Sequence, residues 1–456
     1  MKKLYLAAIA GNLGMLSIGQ FFGWSSPSLP ILMQGKDEKY SVRLTPEEAS
    51  WVASLLTFGS AVGAIICAVI VNVFGRKNIM LFAAVPSIIS WLMIAFATSS
   101  RELYISRFIS GLATGIAYSV TPMYLGEISP AHIRGNLTSM LTVAVKVGIL
   151  IEYVIGPFLS VQNLAFVSLV GPCLFMLIFI WLPESPYHLM RRNAKQQAIN
   201  SLVQLRGKED VYNEADNIEQ FVKVDLANKT GFRELLCVPG NRRALIIILC
   251  LGVIQQMSGS QPVAQYAQII FDQANGNLEG KYLTIILGAV QLIFTIICMF
   301  ITDHSGRKSL LIISCIGTTC STAMIATYFN LQYNHMNTND LVWLPTTGVI
   351  MFVITYALGL APLLFTLLSE LFPTNVKALG STVVLVLINL LAFIVTTLYL
   401  IIADIAGIHI PFWIFTACGL VSPLFIFFYI PETKGKTLEQ IQEKLQSNYR
   451  SSKNRK

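Results

Sequence analysis

Between Leu251 and Phe271 the chain reads LGVIQQMSGSQPVAQYAQIIF. The stretch lies in an apolar run long enough to cross a bilayer, yet it carries Gln255, Gln256, Gln261, Gln265 and Gln268. At about 100° per residue, Gln255, Ser258, Gln261, Gln265 and Gln268 fall on one side of a helix, and Gln256 faces away. Gly259 adds backbone freedom and Pro262 lacks an N–H, so the helix is expected to break there and turn Gln256 toward the same cavity. Uncharged amides in a membrane need hydrogen-bond partners. Some glutamines do no more than join neighbouring helices. So many on one segment exceed that need, and they point to a cavity for a hydroxyl-rich ligand.

Two ionisable residues, Lys146 and Glu152, fall inside another apolar run. Such residues are functional candidates by default in a membrane. They stand about 120° apart around a helix, so they are poor partners for each other. Glu152 is a candidate proton carrier; the alternative is that both residues face water or snorkel without a part in coupling. The apolar runs hold no His/Asp/Glu cluster and no nucleophile–base arrangement, so an enzyme is not expected. There is no GxxxxGK[ST] loop for ATP, no metal-ligand spacing, and no cofactor is expected. The cysteines read as free thiols acting as small apolar residues.

The elements that must position these residues are membrane helices. Of 456 residues, 54% are hydrophobic and 12% charged, against about 25% charged in a soluble chain. Apolar runs of roughly 20 residues recur about twelve times. Arg76, Lys77, His132, Arg134, Arg307, Lys308 and Lys377 lie in one alternate set of loops, together with the basic residues of the polar stretch after Glu184 and of the C-terminal tail. The opposite loops are short and poor in Lys and Arg. Positive charge favours the cytoplasm, so a multi-pass chain with both termini cytoplasmic is expected. The net charge of +8 follows this topology and does not indicate nucleic acid. The runs Asn193–Leu205 and Tyr212–Val224 have the composition of short amphipathic helices.

Three motifs occur twice in the same order. NVFGRK from Asn72 returns as DHSGRK from Asp303, EISP from Glu127 as ELFP from Glu370, and PES from Pro183 as PET from Pro431. Nearly constant offsets indicate two tandem halves of six spans, a parallel repeat with a site between them. The expected divisions are 1–183 for the first half, 184–243 for a cytoplasmic helical linker, 244–431 for the second half and 432–456 for a tail. The motifs also place Glu127, Glu184, Glu370 and Glu432 against Arg76, Arg134, Arg307 and Lys377, all at cytoplasmic span ends. Topology explains the cations but not acids at matching places in both halves. The expectation is a charge latch that holds the halves together when the inside is closed.

At these residues the chain resembles the sugar porter family of major facilitators. PESPYHL from Pro183, QQMSGSQ from Gln255, DHSGRKSL from Asp303, SELFP from Ser369 and PETKGKTLEQI from Pro431 carry the likeness over almost the whole chain. GWSSPSLPIL from Gly23 resembles the facilitated trehalose transporters of insects and the related animal glucose-transporter class. The resemblance implies an all-α membrane protein of the major facilitator fold. It also implies sugar contacts at Gln255, Gln256, Gln261, Gln291, Phe365 and Asn389, with Tyr266 and Gln265 at an outer gate. Gln261 and Gln291 stand where asparagines are usual, Phe365 where a tryptophan is usual, and Thr142 where many hexose carriers have a glutamine.

Proton-coupled members carry an aspartate in the first span; here that position is Ser25. The expectation is therefore facilitative uniport by alternating access, for trehalose or a hexose such as glucose, at the plasma membrane. The expected partners are the sugar and the lipid bilayer, with no nucleic acid and no obligatory protein partner. Proton symport through Glu152 and a non-transporting sugar sensor are the alternatives.

Overall fold

A computed structural model describes residues 2–35, 40, 42–208, 210–227, 231–274, 278–304, 306–434 and 440. The side chains at 303 and 304 lie outside the description, as does nearly all of the expected tail after residue 434. The chain divides into two compact units, Met1–Lys229 and Thr230–Lys456.

The first unit contains α1 (Lys2–Gln34), α2 (Pro46–Phe74), α3 (Arg76–Phe96), α4 (Ser100–Ile128), α5 (Ala131–Ile155) and α6 (Val161–Phe179). The shorter α7 (Pro186–Arg191), α8 (Lys195–Arg206) and α9 (Tyr212–Ala227) follow. The second unit contains α10 (Phe232–Cys237), α11 (Pro239–Met257), α12 (Ser260–Gln265), α13 (Ala267–Gln273), α14 (Gly280–His304), α15 (Arg307–Tyr333), α16 (Trp343–Leu358), α17 (Leu360–Leu371), α18 (Thr374–Ala406) and α19 (His409–Tyr429). Among the described residues, ten segments are long and apolar enough to cross a membrane. The charge-bearing α4 and the interrupted α11–α13 complete six spans in each unit.

Local sequence explains several boundaries. Thr45 and Glu48 form a reciprocal capping box at the start of α2, where Pro46 needs no N–H partner. Ser160 accepts the N–H of Asn163 to start α6. Close helix contacts rest on small residues: a methyl group on Gly59 would come within 2.3 Å of the Phe108 carbonyl, and one on Gly115 within 2.1 Å of Ser60 O. Two Gly-x-x-x-Gly pairs, Gly59/Gly63 and Gly111/Gly115, thus bring α2 and α4 together backbone to backbone.

The expected linker is helical, but it does not stand apart. α7, α8 and α9 belong to the first unit and α10 to the second. Met190, Ala198, Ile199, Leu202, Ala215, Ile218 and Val222 form a small core among α7, α8 and α9. Arg206 ties this group to α4 by donating to Ile128 O at 2.8 Å while pairing with Glu214 at 2.6 Å.

Candidate functional site

The glutamine-rich span is broken twice. Gly259 adopts φ +86°, the left-handed region, and ends the run of α11 before α12 begins. Its position also leaves no room for a side chain, since a methyl group there would lie 2.6 Å from the Phe415 ring. A second interruption falls at Tyr266, between α12 and α13. The single helical face expected for Gln255, Ser258, Gln261, Gln265 and Gln268 is therefore not formed, because the 100° rotation per residue stops at Gly259. Gln255 and Gln256 are both buried, at 4% and 3% exposure. Gln255 Nε2 donates to the Leu360 carbonyl at 3.0 Å. Its own carbonyl accepts from Ser258 Oγ and Ser260 Oγ on either side of the break. Gln256 Oε1 is buried and has no hydrogen-bond partner among the described residues.

The remaining ligand candidates occupy varied surroundings. Gln261, Gln291 and Asn389 are half-buried and Phe365 is exposed. Asn389 Nδ2 donates to Leu385 O of its own helix at 2.8 Å, which leaves its oxygen as the free end for another group. Gln265 and Tyr266 are fully buried. Tyr266 stacks on Tyr399 of α18, with ring centroids 5.3 Å apart, and its hydroxyl donates to Thr396 O.

The repeated motifs form the same construction in each unit. Glu184 accepts the backbone N–H groups of Arg76 and Lys77, at 3.0 and 3.1 Å, and so caps the N-terminus of α3. Glu432 does the same for Arg307 and Lys308 at the N-terminus of α15, at 3.0 and 3.2 Å. A carboxylate there meets unpaired N–H groups and the positive end of the helix dipole. Glu432 is held below the usual carboxylate range: burial pushes it up, but the N–H groups of Lys434, Lys308, Arg307 and Thr433 outweigh that. Lys77 Nζ donates to Ile180 O, and Lys308 Nζ to Phe427 O, closing the ends of α6 and α19. Arg76 pairs with Glu127 at 3.0 Å, and Arg307 with Glu370 at 3.3 Å.

These bonds correct the expected latch in one respect: each joins spans of the same half. Arg134 donates to Ser129 O; among the described residues it is in no ion pair, and no partner for Lys377 is found. The physical reason is that a helix N-terminus a few ångströms away offers donors to Glu184 and Glu432, and the arginine of the same motif reaches Glu127 or Glu370, while Arg134 and Lys377 sit one turn into their own helices.

Sequence reading singled out Ser25 and Glu152 but passed over Arg107, the centre of a buried polar cluster in the first unit. Arg107, in α4, is fully buried; Nε donates to Val52 O, Nη1 to Phe21 O and Nη2 to Ser25 Oγ, at 3.0, 3.0 and 2.9 Å. Its guanidinium also lies 5.1 Å from the Trp24 ring centroid. Glu152 is fully buried as well, accepts from Ser168 Oγ at 2.5 Å, and lies within electrostatic reach of Arg107. An arginine within an apolar span was the available signal. Lys146, by contrast, is half-buried, and among the described residues no ion-pair partner is found for it.

Comparison with known proteins places this arrangement. The family described as "Sugar (and other) transporter" matches residues 14–445. The facilitated trehalose transporter Tret1 of Drosophila mojavensis is 32% identical over 448 residues, 98% of this chain; the chain spans about half the length of that relative, 52%. Its counterpart from Bombyx mori is 30% identical over 451 residues, covering 98% of this chain and 88% of the relative. A partially occluded inward open structure of the xylose transporter XylE from E. coli is 25% identical, with a TM-score of 0.79, over 96% of this chain and all of that one. These relatives are transporters, not enzymes.

Proposed function

Because the chain belongs to the sugar transporter family, we propose that it carries a sugar across the membrane by facilitated, alternating-access uniport, with trehalose or a hexose such as glucose as the substrate. The observation that carries this reading is Gln256 Oε1. It is a buried amide oxygen in a span, next to a helix break, with no donor among the described residues. A buried acceptor left unpaired is costly, and a sugar hydroxyl is a matching donor. Gln255, Gln261, Gln291, Phe365 and Asn389 complete the proposed contacts, with Tyr266 and Gln265 toward the outer end. The charged pairs at Glu127, Glu184, Glu370 and Glu432 brace each half as a rigid body, so that the halves rock while their interiors stay packed. We place the protein in the plasma membrane with both termini cytoplasmic, following the distribution of basic loops.

The test is uptake of radiolabelled trehalose and glucose, side by side, into a transporter-null host. Gln256→Ala is expected to lower uptake of the carried sugar at least about tenfold, the equivalent of one buried hydrogen bond to a ligand. Background uptake of every candidate sugar by the wild type would sink the reading.

A second reading, proton-coupled transport, is favoured by the Glu152 carboxylate, buried beside Arg107. Uptake that persists unchanged when a protonophore collapses the proton gradient would exclude it.

A further inference from the structure

The tenth span is interrupted at Gly359, between α16 and α17. The interruption frees several backbone groups. Leu358 O lacks a helical donor because residue four places on is Pro362, which has no N–H. Gly359 N turns to Tyr356 O at 3.4 Å, leaving Thr355 O and the Leu360 N–H without their helical partners; the ladder resumes at Leu363 N, which donates to Gly359 O. In a membrane such groups must be satisfied by neighbours.

Two different spans do so, and a third adds a bond at the same break. Cys298 Sγ, on α14, donates to Leu358 O at 3.5 Å. Ser314 Oγ, on α15, accepts the Leu360 N–H at 3.0 Å and donates to Thr355 O at 2.7 Å, bridging the break with one hydroxyl. Gln255 Nε2, on α11, donates to Leu360 O at 3.0 Å. The close approach depends on Gly359, since a methyl group there would stand 2.4 Å from Ser314 Cβ. Gln255 also sits on the seventh-span break through its own carbonyl, which accepts from Ser258 and Ser260. One residue thus touches both interrupted spans.

The two bridges differ in kind. Ser314 answers a donor and an acceptor that have no other partner in the helix. Gln255 adds a bond to Leu360 O, whose second lone pair remains directed along α17, so its amide can leave at small cost. We propose that Ser314 is a positioning residue of the transport cycle: it staples the tenth-span break in the geometry the cycle needs, while the Gln255 amide exchanges between Leu360 O and a sugar hydroxyl, so that ligand binding releases the Gln255 tie and lets the span bend at the stapled break. The inference rests on the proposed role of Gln255 in sugar binding.

The experiment has two readouts on the full-length protein. The first is amide hydrogen exchange over residues 355–364 in wild type, Ser314→Ala and Ser321→Ala. Ser321 is the control: it lies on the same helix, is buried, and its hydroxyl donates to Gly317 O of its own helix. Ser314→Ala is expected to speed exchange in this segment about fivefold or more, the equivalent of one lost hydrogen bond; Ser321→Ala is expected to leave it unchanged. Adding the carried sugar to wild type is expected to speed it as well. Unchanged exchange in Ser314→Ala, or equal acceleration by Ser321→Ala, overturns the staple.

The second readout is initial-rate uptake. The Ser314 hydroxyl is taken up by Thr355 O and the Leu360 N–H, so Ser314→Ala is expected to lower the maximal rate about fivefold and leave the half-saturating concentration within about twofold. A shift confined to half-saturation, or a wild-type maximal rate, overturns the proposal. Absence of wild-type uptake for any sugar would instead sink the sugar-transport reading, and the exchange result in Ser314→Ala would still decide the staple.

Discussion

Arg107 Nη2 donates to Ser25 Oγ at 2.9 Å, which joins α4 to the position where proton-coupled relatives of this chain's type were expected to carry an acid. This acceptor is uncharged, as are the Val52 and Phe21 carbonyls that take the other guanidinium bonds. A buried acid, Glu152 on α5, lies within electrostatic reach of Arg107 and is packed against α1 so closely that a methyl group on Gly23 would lie 2.8 Å from Glu152 Cβ. One arginine and one glutamate thus share the interior of the first unit, and neither is exposed.

That arrangement predicts what a second acid would do. Ser25→Asp places another carboxyl beside the same guanidinium, and two carboxyls sharing one cation cannot both ionise easily. Sugar uptake by Ser25→Asp is expected to become pH-dependent between about pH 5 and 8 while wild-type uptake stays flat. Uptake measured against external pH checks this; a flat profile for Ser25→Asp, or a steep one for wild type, contradicts it.

The duplicated Gly-Arg-Lys motif predicts unequal costs in the two halves. Gly75 has φ +90°, a region that side chains rarely adopt, and a methyl group would lie 2.3 Å from Glu184 Oε2. Gly306 has an ordinary φ of −67° and a looser approach, 2.8 Å from Glu432 Oε2. Gly75→Ala is expected to destabilise the protein by about 1–3 kcal/mol. Gly306→Ala should cost about 1 kcal/mol or less, through a shifted carboxylate. Thermal unfolding of the two purified variants compares them directly, and equal losses would show that backbone conformation at Gly75 is not what matters.

His188 predicts a pH window. Arg76 can only donate, so His188 Nδ1 is the acceptor of their 3.0 Å contact and the ring is neutral, with its proton on Nε2. Burial, then the charges of Arg76, Arg192 and Arg191, push its pKa down from 6.5 to about 4. The unfolded chain takes up a proton below its ordinary value while the folded ring does not, so this group's contribution to stability falls as pH drops from 6.5 to about 4 and then levels off. His188→Gln keeps an acceptor without a titration. Its melting temperature is expected to fall less across that window than the wild type's, by about 2–4 °C. Parallel curves for the two proteins would remove His188 from the account.

Much of the architecture was legible in the chain because the relevant signals are local. Apolar run length set the spans, and the paired motifs from Asn72 and Asp303 set the repeat. Gly259 and Pro262 marked the seventh-span break within a few residues of where φ turns positive. Helices at 195–206 and 212–227 followed from composition. Extrapolating one helical face across Gly259 failed, because a single positive φ resets the direction of every later side chain.

The sequence by itself determined the span count, the two-half repeat, and which residue types stand at the repeated ends and in the seventh span. These follow from runs and spacings of a few residues, where chain geometry dictates position. Only the tertiary structure decided their partners: Glu184 capping α3 and Glu432 capping α15, Arg107 donating to Ser25, and Gln255 reaching Leu360. The physical reason is that each partnership joins different helices. Which side chains meet depends on the rotation of each helix about its own axis, and that rotation is fixed by close packing at glycines such as Gly23, Gly115 and Gly359.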